Sequence, residues 1–129
     1  MRANLSVAAV ALSVATLLLA APDQSLAAEN GVTGVVKLVA SPGREAELQD
    51  RLIKLVAFAK KTEPGSTYWL SRSKKDPSVF LLYERYPSQA AADLHPNATL
   101  PAFAKEYGPT PQGLLARPIE WEGFEPVAD

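Results

Sequence analysis

The most distinct pattern in the chain is a run of β-branched and aromatic residues at positions 78–86, which Pro87 closes. The run has no internal glycine or proline, so it predicts a strand. Both faces of this strand are apolar at its start, which is typical of a strand covered on both sides. Its far end is polar, because Glu84 and Arg85 lie between two tyrosines. A carboxylate in a buried strand needs a hydrogen-bonding or charged partner, or a functional role, so Glu84 is a candidate functional residue.

Similar patterns predict the other elements. Alternating apolar positions indicate strands over 32–39 and 66–73, and a last strand over 119–124 that Pro118 confines or places at a sheet edge. Positions 44–61 have an apolar stripe at helical spacing, with acidic residues early and lysines late, as the helix dipole favours. Ser88 is expected to cap a second helix that Pro96 ends, and Thr99 a third that Gly108 closes.

The order of these elements is strand, helix, strand, strand, helix, strand. It predicts an α+β, ferredoxin-like βαββαβ fold, in which a four-stranded antiparallel sheet carries its helices on one face. We expect the other face to carry Val36, Trp69, Leu81 and Trp121, which is too much apolar surface for a monomer. A homodimer that pairs two such faces, a dimeric α+β barrel, is therefore predicted.

Composition narrows the class of protein. The 129 residues carry a net charge of −1, and hydrophobic residues make up 47%, so we expect one globular domain without a nucleic-acid surface. The chain has no cysteine, which excludes disulfides, thiolate nucleophiles and cysteine-based metal sites.

The first 28 residues are interpreted as a signal peptide, which leaves a domain over 29–129. A short positive start precedes an apolar stretch, and small residues near Ala27 and Ala28 suit cleavage. This predicts export to the periplasm or beyond the cell, with no membrane association after cleavage. The alternative is a retained membrane anchor, since the apolar stretch is just short of the roughly 18–20 residues that span a bilayer.

Three motifs together resemble the antibiotic biosynthesis monooxygenase domain family, over about Val32 to Trp121. They are Ser41-Pro42-Gly43-Arg44-Glu45 before the long helix, Glu63-Pro64-Gly65 after it, and Tyr83-Glu84-Arg85-Tyr86 followed by a short helix ending in His95. The resemblance implies a homodimeric barrel with one cavity per protomer. For well-studied members it implies oxidation of phenols or quinols by O2 without a metal or organic cofactor.

Other relatives in this family degrade haem, with an asparagine on the first strand, a tryptophan and a late histidine. Here the first strand has Val35, Val36 and Leu38, and Lys105 and Glu106 stand near the position of the late histidine. These departures argue against haem degradation.

His95 and Glu84 are the candidate catalytic residues. His95 is the sole histidine in the sequence, so it is a candidate proton shuttle; the alternative is that it caps the second helix. A single histidine does not make a metal site. Glu84 is a candidate base with a raised pKa; the alternative is a structural acceptor for a backbone turn or for Arg72.

Aromatic residues are the candidate substrate-binding groups. They are Tyr68, Trp69, Tyr83, Tyr86 and Phe103, with Trp121 as a further member. The alternative is that they belong to the core or a dimer interface. Together with the export signal, the family resemblance implies an exported, cofactor-independent monooxygenase for small phenolic or quinol aromatics, with O2 and a small aromatic molecule as partners. A non-catalytic dimer that binds small ligands, or a haem-binding relative, is the alternative.

Overall fold

The structure, a computed structural model, describes residues 31–109 and 111–127. The predicted signal peptide and its cleavage site lie outside the described residues, so they stay predictions. The elements are β1 (Val32–Val39), α1 (Glu45–Thr62), β2 (Thr67–Arg72), β3 (Val79–Tyr86), α2 (Gln89–Leu94), a π-helical turn (His95–Thr99), α3 (Leu100–Tyr107), a 3-10 turn (Pro111–Leu114) and β4 (Glu120–Phe124).

The four strands form one antiparallel sheet in the order β2-β3-β1-β4. This is the ferredoxin-like topology, so the predicted fold class is confirmed. The two central strands pair over their whole length, from Val32 opposite Tyr86 to Val39 opposite Val79. β4 lies at an edge beside β1, as Pro118 indicated.

The strand register decides which side chains face the helices. Val36 lies opposite Leu82 on one side and Trp121 on the other, and directly opposed residues share a face of a sheet. Val36 and Leu82 are buried, so Trp121 also lies on the helix side. The prediction that Val36 and Trp121 belong to the open face was therefore wrong. It was right for Trp69 and Leu81, whose side chains are exposed there.

The core lies between the sheet and α1. The predicted apolar stripe of this helix is buried through Leu48, Leu52, Leu55 and Ala59. Those side chains pack with the helix-facing side of the strands, including the fully buried Phe80. Burying a leucine or phenylalanine side chain contributes roughly 1.5–3 kcal/mol, so this layer holds the sheet to the helix.

The second helical region differs from its prediction in one respect. Ser88 caps α2 as predicted, since its Oγ accepts the backbone N–H of Ala91 at 3.1 Å. The α-helix does end before Pro96, at Leu94 with His95 as its C-cap, but the helical path continues as a π-helical turn in which the N–H of Leu100 donates to the carbonyl of His95. Proline is tolerated here because it occupies the first positions of that turn, where its missing N–H has no intrahelical partner to lose.

The prediction that Thr99 caps α3 was wrong. Its backbone is helical and its side chain makes no capping hydrogen bond. The π-helical turn runs directly into α3, so this helix has no separate start to cap. Within the described residues, none of the helices is long and apolar enough to cross a membrane.

Candidate active site

A cavity of about 390 Å³ lies between the sheet and the region from α2 to α3. Apolar side chains make up most of its walls, including Val36, Leu38, Leu52, Leu55 and Leu82. Its polar end is formed by Glu84, Tyr86, His95 and Trp121. Ligand sites in proteins commonly have this form, in which apolar walls hold the body of a molecule and a few polar groups orient it.

The imidazole of His95 lies between two carboxylates. Its Nδ1 is 2.8 Å from Oε1 of Glu63, which is hydrogen-bonding distance. Its Nε2 is 3.9 Å from Oε1 of Glu84, which is too long for a direct hydrogen bond. A carboxylate at Nδ1 favours the tautomer that carries its proton there, because that N–H then donates to the carboxylate. The basic lone pair of the neutral ring is then on Nε2, on the side of Glu84.

Glu63 is fixed by the turn that follows α1. The backbone N–H of Ser66 donates to the carbonyl of Glu63, and Gly65 at the third position has φ of +83°. With Pro64 in the second position this is a type II turn, which requires a residue that tolerates positive φ at that point. The carboxylate is 3% exposed, and its Oε2 accepts the hydroxyl of Tyr68. Glu63 is therefore held on one side by Tyr68 and on the other by His95.

Glu84 enters the cavity from β3 and is 4% exposed. Its Oε2 accepts the hydroxyl of Tyr86 at 3.1 Å, and the indole N–H of Trp121 also donates to the carboxylate. Burial raises the pKa of Glu84 above its usual value; His95 and the two hydrogen bonds oppose that rise, and the charge of Glu63 adds to it. Burial and the same two carboxylates also raise the pKa of Tyr86, which keeps its hydroxyl a donor.

These contacts form one buried chain: Tyr68, Glu63, His95, Glu84 and Tyr86. A carboxylate that orients a histidine, whose other nitrogen faces the reaction space, is the arrangement of a general base. An oxygen about 2.8 Å from both Nε2 of His95 and Oε1 of Glu84 fits beside their 3.9 Å gap. One hydroxyl of a bound molecule can therefore contact both groups.

The structure brings together some of the predicted site residues. Glu84, Tyr86 and His95 line the cavity. Tyr68 lies behind them, with its hydroxyl 3.2 Å from Nδ1 of His95. The alternatives are met in part: His95 is the C-cap residue of α2 while its ring contacts carboxylates, and Glu84 is a hydrogen-bond acceptor whose donors include Tyr86 and Trp121.

Three predicted binding residues lie elsewhere. Trp69 and Tyr83 are register partners on the open face of the sheet, where their ring centroids are 5.1 Å apart. Phe103 is buried on α3, where its ring packs against Phe58 and Tyr107 at 5.7 and 5.1 Å. None of the three is among the side chains that line this cavity in the described part of the chain. Strand alternation separates Trp69 from Tyr68, and Tyr83 from Glu84.

Two residues of the site were missed as functional candidates or misplaced. Glu63 was read only as the end of α1, although a carboxylate at a helix C-terminus opposes the dipole and so signals another role. Trp121 was a further aromatic candidate but was assigned to the open face, whereas it lines the cavity. Among the described residues, no group of three or more histidines and carboxylates is placed to hold a metal ion.

Comparison with known proteins rests on solved structures. No family model matches the chain, and no curated protein matches it either. A candidate antibiotic biosynthesis monooxygenase from Caulobacter crescentus is 28% identical, with a TM-score of 0.64, and the match covers 81% of this chain and 97% of that one. A second such candidate, from Nitrosomonas europaea, is 18% identical, with a TM-score of 0.65 and coverage of 77% and 92%.

A third similar structure is a point mutant of SnoaB, a cofactor-independent oxygenase from Streptomyces nogalater. It is 17% identical, with a TM-score of 0.61, and the match covers 78% of this chain and 96% of that one. The fold and the site define a ferredoxin-like α+β domain with a buried histidine–carboxylate centre. The similar structures confirm its resemblance to the antibiotic biosynthesis monooxygenase domain proteins.

Proposed function

We propose that this protein is a monooxygenase that oxidises small phenolic or quinol aromatics with O2 and without a metal or organic cofactor. The observation that carries the proposal is the 3.9 Å gap between Nε2 of His95 and Oε1 of Glu84, at the polar end of an apolar cavity. The names of the similar structures support the reaction class, and that of SnoaB supports the lack of a cofactor.

Binding places the aromatic ring among the apolar walls and its hydroxyl beside the gap. The hydroxyl proton passes to Nε2 of His95, where the resulting imidazolium is stabilised by Glu63 at 2.8 Å. Glu84 accepts the proton instead when His95 is already charged. The product of this step is a phenolate, which is a much better electron donor than the phenol.

The phenolate then transfers one electron to O2, and the two radicals combine to form a carbon–oxygen bond on the ring. The base returns its proton to the outer oxygen of the peroxide. The ring carbon loses its hydrogen as a proton, the O–O bond breaks, and water leaves. One phenol and one O2 thus give one quinone and one water, so the four electrons that O2 accepts come from the ring. The apolar walls keep bulk water away from the peroxide.

Oxygen uptake tests the proposal. The chain without residues 1–28 is mixed with a panel of naphthols and quinols, and uptake is compared with the rate without protein. We expect uptake that saturates with at least one phenol, and with labelled O2 one labelled atom in the quinone. His95→Gln should abolish it, and Trp69→Phe, on the open face, should not. If no phenol in the panel raises uptake above background, the enzyme proposal is wrong and the cavity is a binding site.

We also propose that the protein is a homodimer. Its open sheet face carries Trp69, Leu81 and Phe124, which are 59%, 42% and 45% exposed, beside the Trp69–Tyr83 ring pair. Apolar surface of this kind, arranged on one flat face, favours a second copy of the same face.

Export is the third part of the proposal. It rests on the sequence of residues 1–28, with a positive start, an apolar stretch and small residues near its end. Sequencing the N-terminus of the protein recovered outside the cytoplasm should give a start near Ala28 or Glu29. A start at Met1 or Arg2 would contradict it.

A further inference from the structure

The side chain of Trp121 lies in a slot made by two glycines. Gly34 on β1 and Gly123 on β4 are register partners, and the indole crosses both. A Cβ on Gly34 would be 2.8 Å from Nε1 of Trp121, and a Cβ on Gly123 would be 2.7 Å from Cη2 at the other end of the ring. These distances are shorter than any normal contact. The ring therefore keeps this position because neither glycine has a side chain.

Such a slot is costly for a sheet. Glycine weakens a strand relative to alanine because it loses more backbone freedom on folding, and here two glycines oppose each other beside a sheet edge. Core packing does not account for the slot, since Trp121 is 59% exposed. The ring instead forms part of the cavity wall beside Glu84, to which its N–H donates.

We infer that Trp121 is a specificity-determining residue, whose ring stacks against the aromatic ring of the substrate. Its N–H meanwhile holds the Glu84 carboxylate, so that Oε1 stays directed at the substrate hydroxyl. This deepens the proposed function and rests on it only in taking the cavity as the substrate site. The substrate class it selects is a planar aromatic alcohol, in preference to a saturated alcohol of similar size.

Binding measured by calorimetry tests this without any turnover. The probes are 2-naphthol and its saturated counterpart decahydro-2-naphthol, under anaerobic conditions. We expect Trp121→Leu to weaken 2-naphthol binding about tenfold, the size of an aromatic stacking contribution. Binding of decahydro-2-naphthol should change by no more than about twofold, and Trp121→Phe, which keeps an aromatic ring but loses the N–H, should retain more 2-naphthol affinity than Trp121→Leu.

Two glycine variants form a matched pair. Gly123→Ala displaces the indole, so we expect it to weaken 2-naphthol binding as Trp121→Leu does. Gly113→Ala is the control, since a Cβ there has no heavy atom within 4 Å. Circular dichroism checks that each variant is folded. If Gly123→Ala does not fold, the two Trp121 variants still decide the question.

The inference is overturned if Trp121→Leu weakens both probes equally, or weakens neither. It is also overturned if the wild type binds no 2-naphthol. Failure of the proposed function looks different: the wild type would bind 2-naphthol selectively and consume no oxygen.

The role of the indole N–H has its own measurement. Trp121→Phe removes a hydrogen bond that lowers the pKa of Glu84. The pH at which the infrared band of the protonated Glu84 carboxyl disappears should therefore rise in this variant, with Glu84→Gln used to assign the band. An unchanged midpoint would show that the N–H does not hold the carboxylate.

Discussion

The two faces of the sheet carry similar aromatic residues with opposite surroundings. On the helix side, Tyr68 and Tyr86 are almost fully buried, and each donates its hydroxyl to a buried carboxylate. On the open side, Trp69 and Tyr83 pack on one another and Trp69 is largely exposed. The same two strands supply both pairs. Aromatic content alone therefore does not locate a site in this fold; the buried carboxylates do.

The two faces of the sheet also differ in how far they remove a charged side chain from water. Glu84 on the helix side has its pKa raised because burial removes water from the carboxylate. Its chain neighbours Tyr83 and Arg85 point to the other side. One residue of displacement along β3 thus separates a buried carboxylate with a raised pKa from the open face of the sheet. Four predictions test whether this division is functional.

The largest difference is expected in turnover. Glu84→Gln should lower kcat at least about 100-fold, because a carboxamide neither holds the substrate hydroxyl beside Nε2 of His95 as an anionic acceptor nor takes its proton when His95 is charged. Tyr83→Phe, one residue away on the open face, should change kcat by no more than about twofold, since it touches no part of the cavity. Oxygen uptake at saturating phenol measures both. Equal losses in the two variants would mean that the faces do not divide chemistry from surface.

A smaller difference is expected in stability. Tyr68→Phe removes the hydroxyl that Glu63 accepts and leaves a buried carboxylate oxygen without that donor, which costs about 1–3 kcal/mol. Tyr83→Phe removes the same atom from the open face and should cost no more than a few tenths of a kcal/mol. Urea unfolding of both variants gives the two free energies. A small loss for Tyr68→Phe would contradict a stabilising hydrogen bond from Tyr68 to Glu63.

The proposal that two protomers pair through the open face is tested by placing a charge on that face. Leu81→Lys should raise the dimer dissociation constant about tenfold or more, because the interface would have to accommodate an ammonium group. Ile53→Lys is the matched control, since Ile53 is an exposed apolar residue on α1. Light scattering over a dilution series measures both. If the wild type itself is monomeric at micromolar concentration, the open face is not a dimer interface and the homodimer proposal is wrong.

The smallest effect is the pH dependence of stability. The pKa of Glu84 is raised by burial, so the folded protein binds this proton more tightly than the unfolded chain does. That contribution is fully present below the ordinary glutamate pKa and is lost as pH rises through the folded pKa. The free energy of unfolding of Glu84→Gln, relative to the wild type, should therefore increase across this window. A constant difference between the two proteins would show that Glu84 does not titrate as a buried group.

Local patterns in the sequence were sufficient for the fold. The apolar stripe of α1, the β-branched run of β3 and the element order are properties of neighbouring residues, and the structure confirms them. It was harder to predict which face of each strand packs against the helices. Alternation correctly grouped Phe80, Leu82, Glu84 and Tyr86, but it does not state which group faces the helices. Val36 and Trp121 were misplaced for that reason.

The site depends on contacts that no local pattern encodes. Glu63 and His95 are 32 residues apart, and they meet because the type II turn and the π-helical turn lie at the same end of the cavity. Pro96 argued for a helix end, since proline usually prevents continuation of an α-helix. A π-helical turn allows the helical path to continue past a proline, and a single proline in the sequence does not indicate that such a turn is present.

The π-helical turn at His95 also fixes the length of this helical region. Its hydrogen bond joins Leu100 to His95, five residues apart, where an α turn would join residues four apart. Deleting one residue between Pro96 and Thr99 would leave Pro96 inside a regular α-helix, where its ring clashes with the carbonyl four residues earlier. The segment that joins His95, beside the cavity, to the fully buried Phe103 therefore has its length set by its proline.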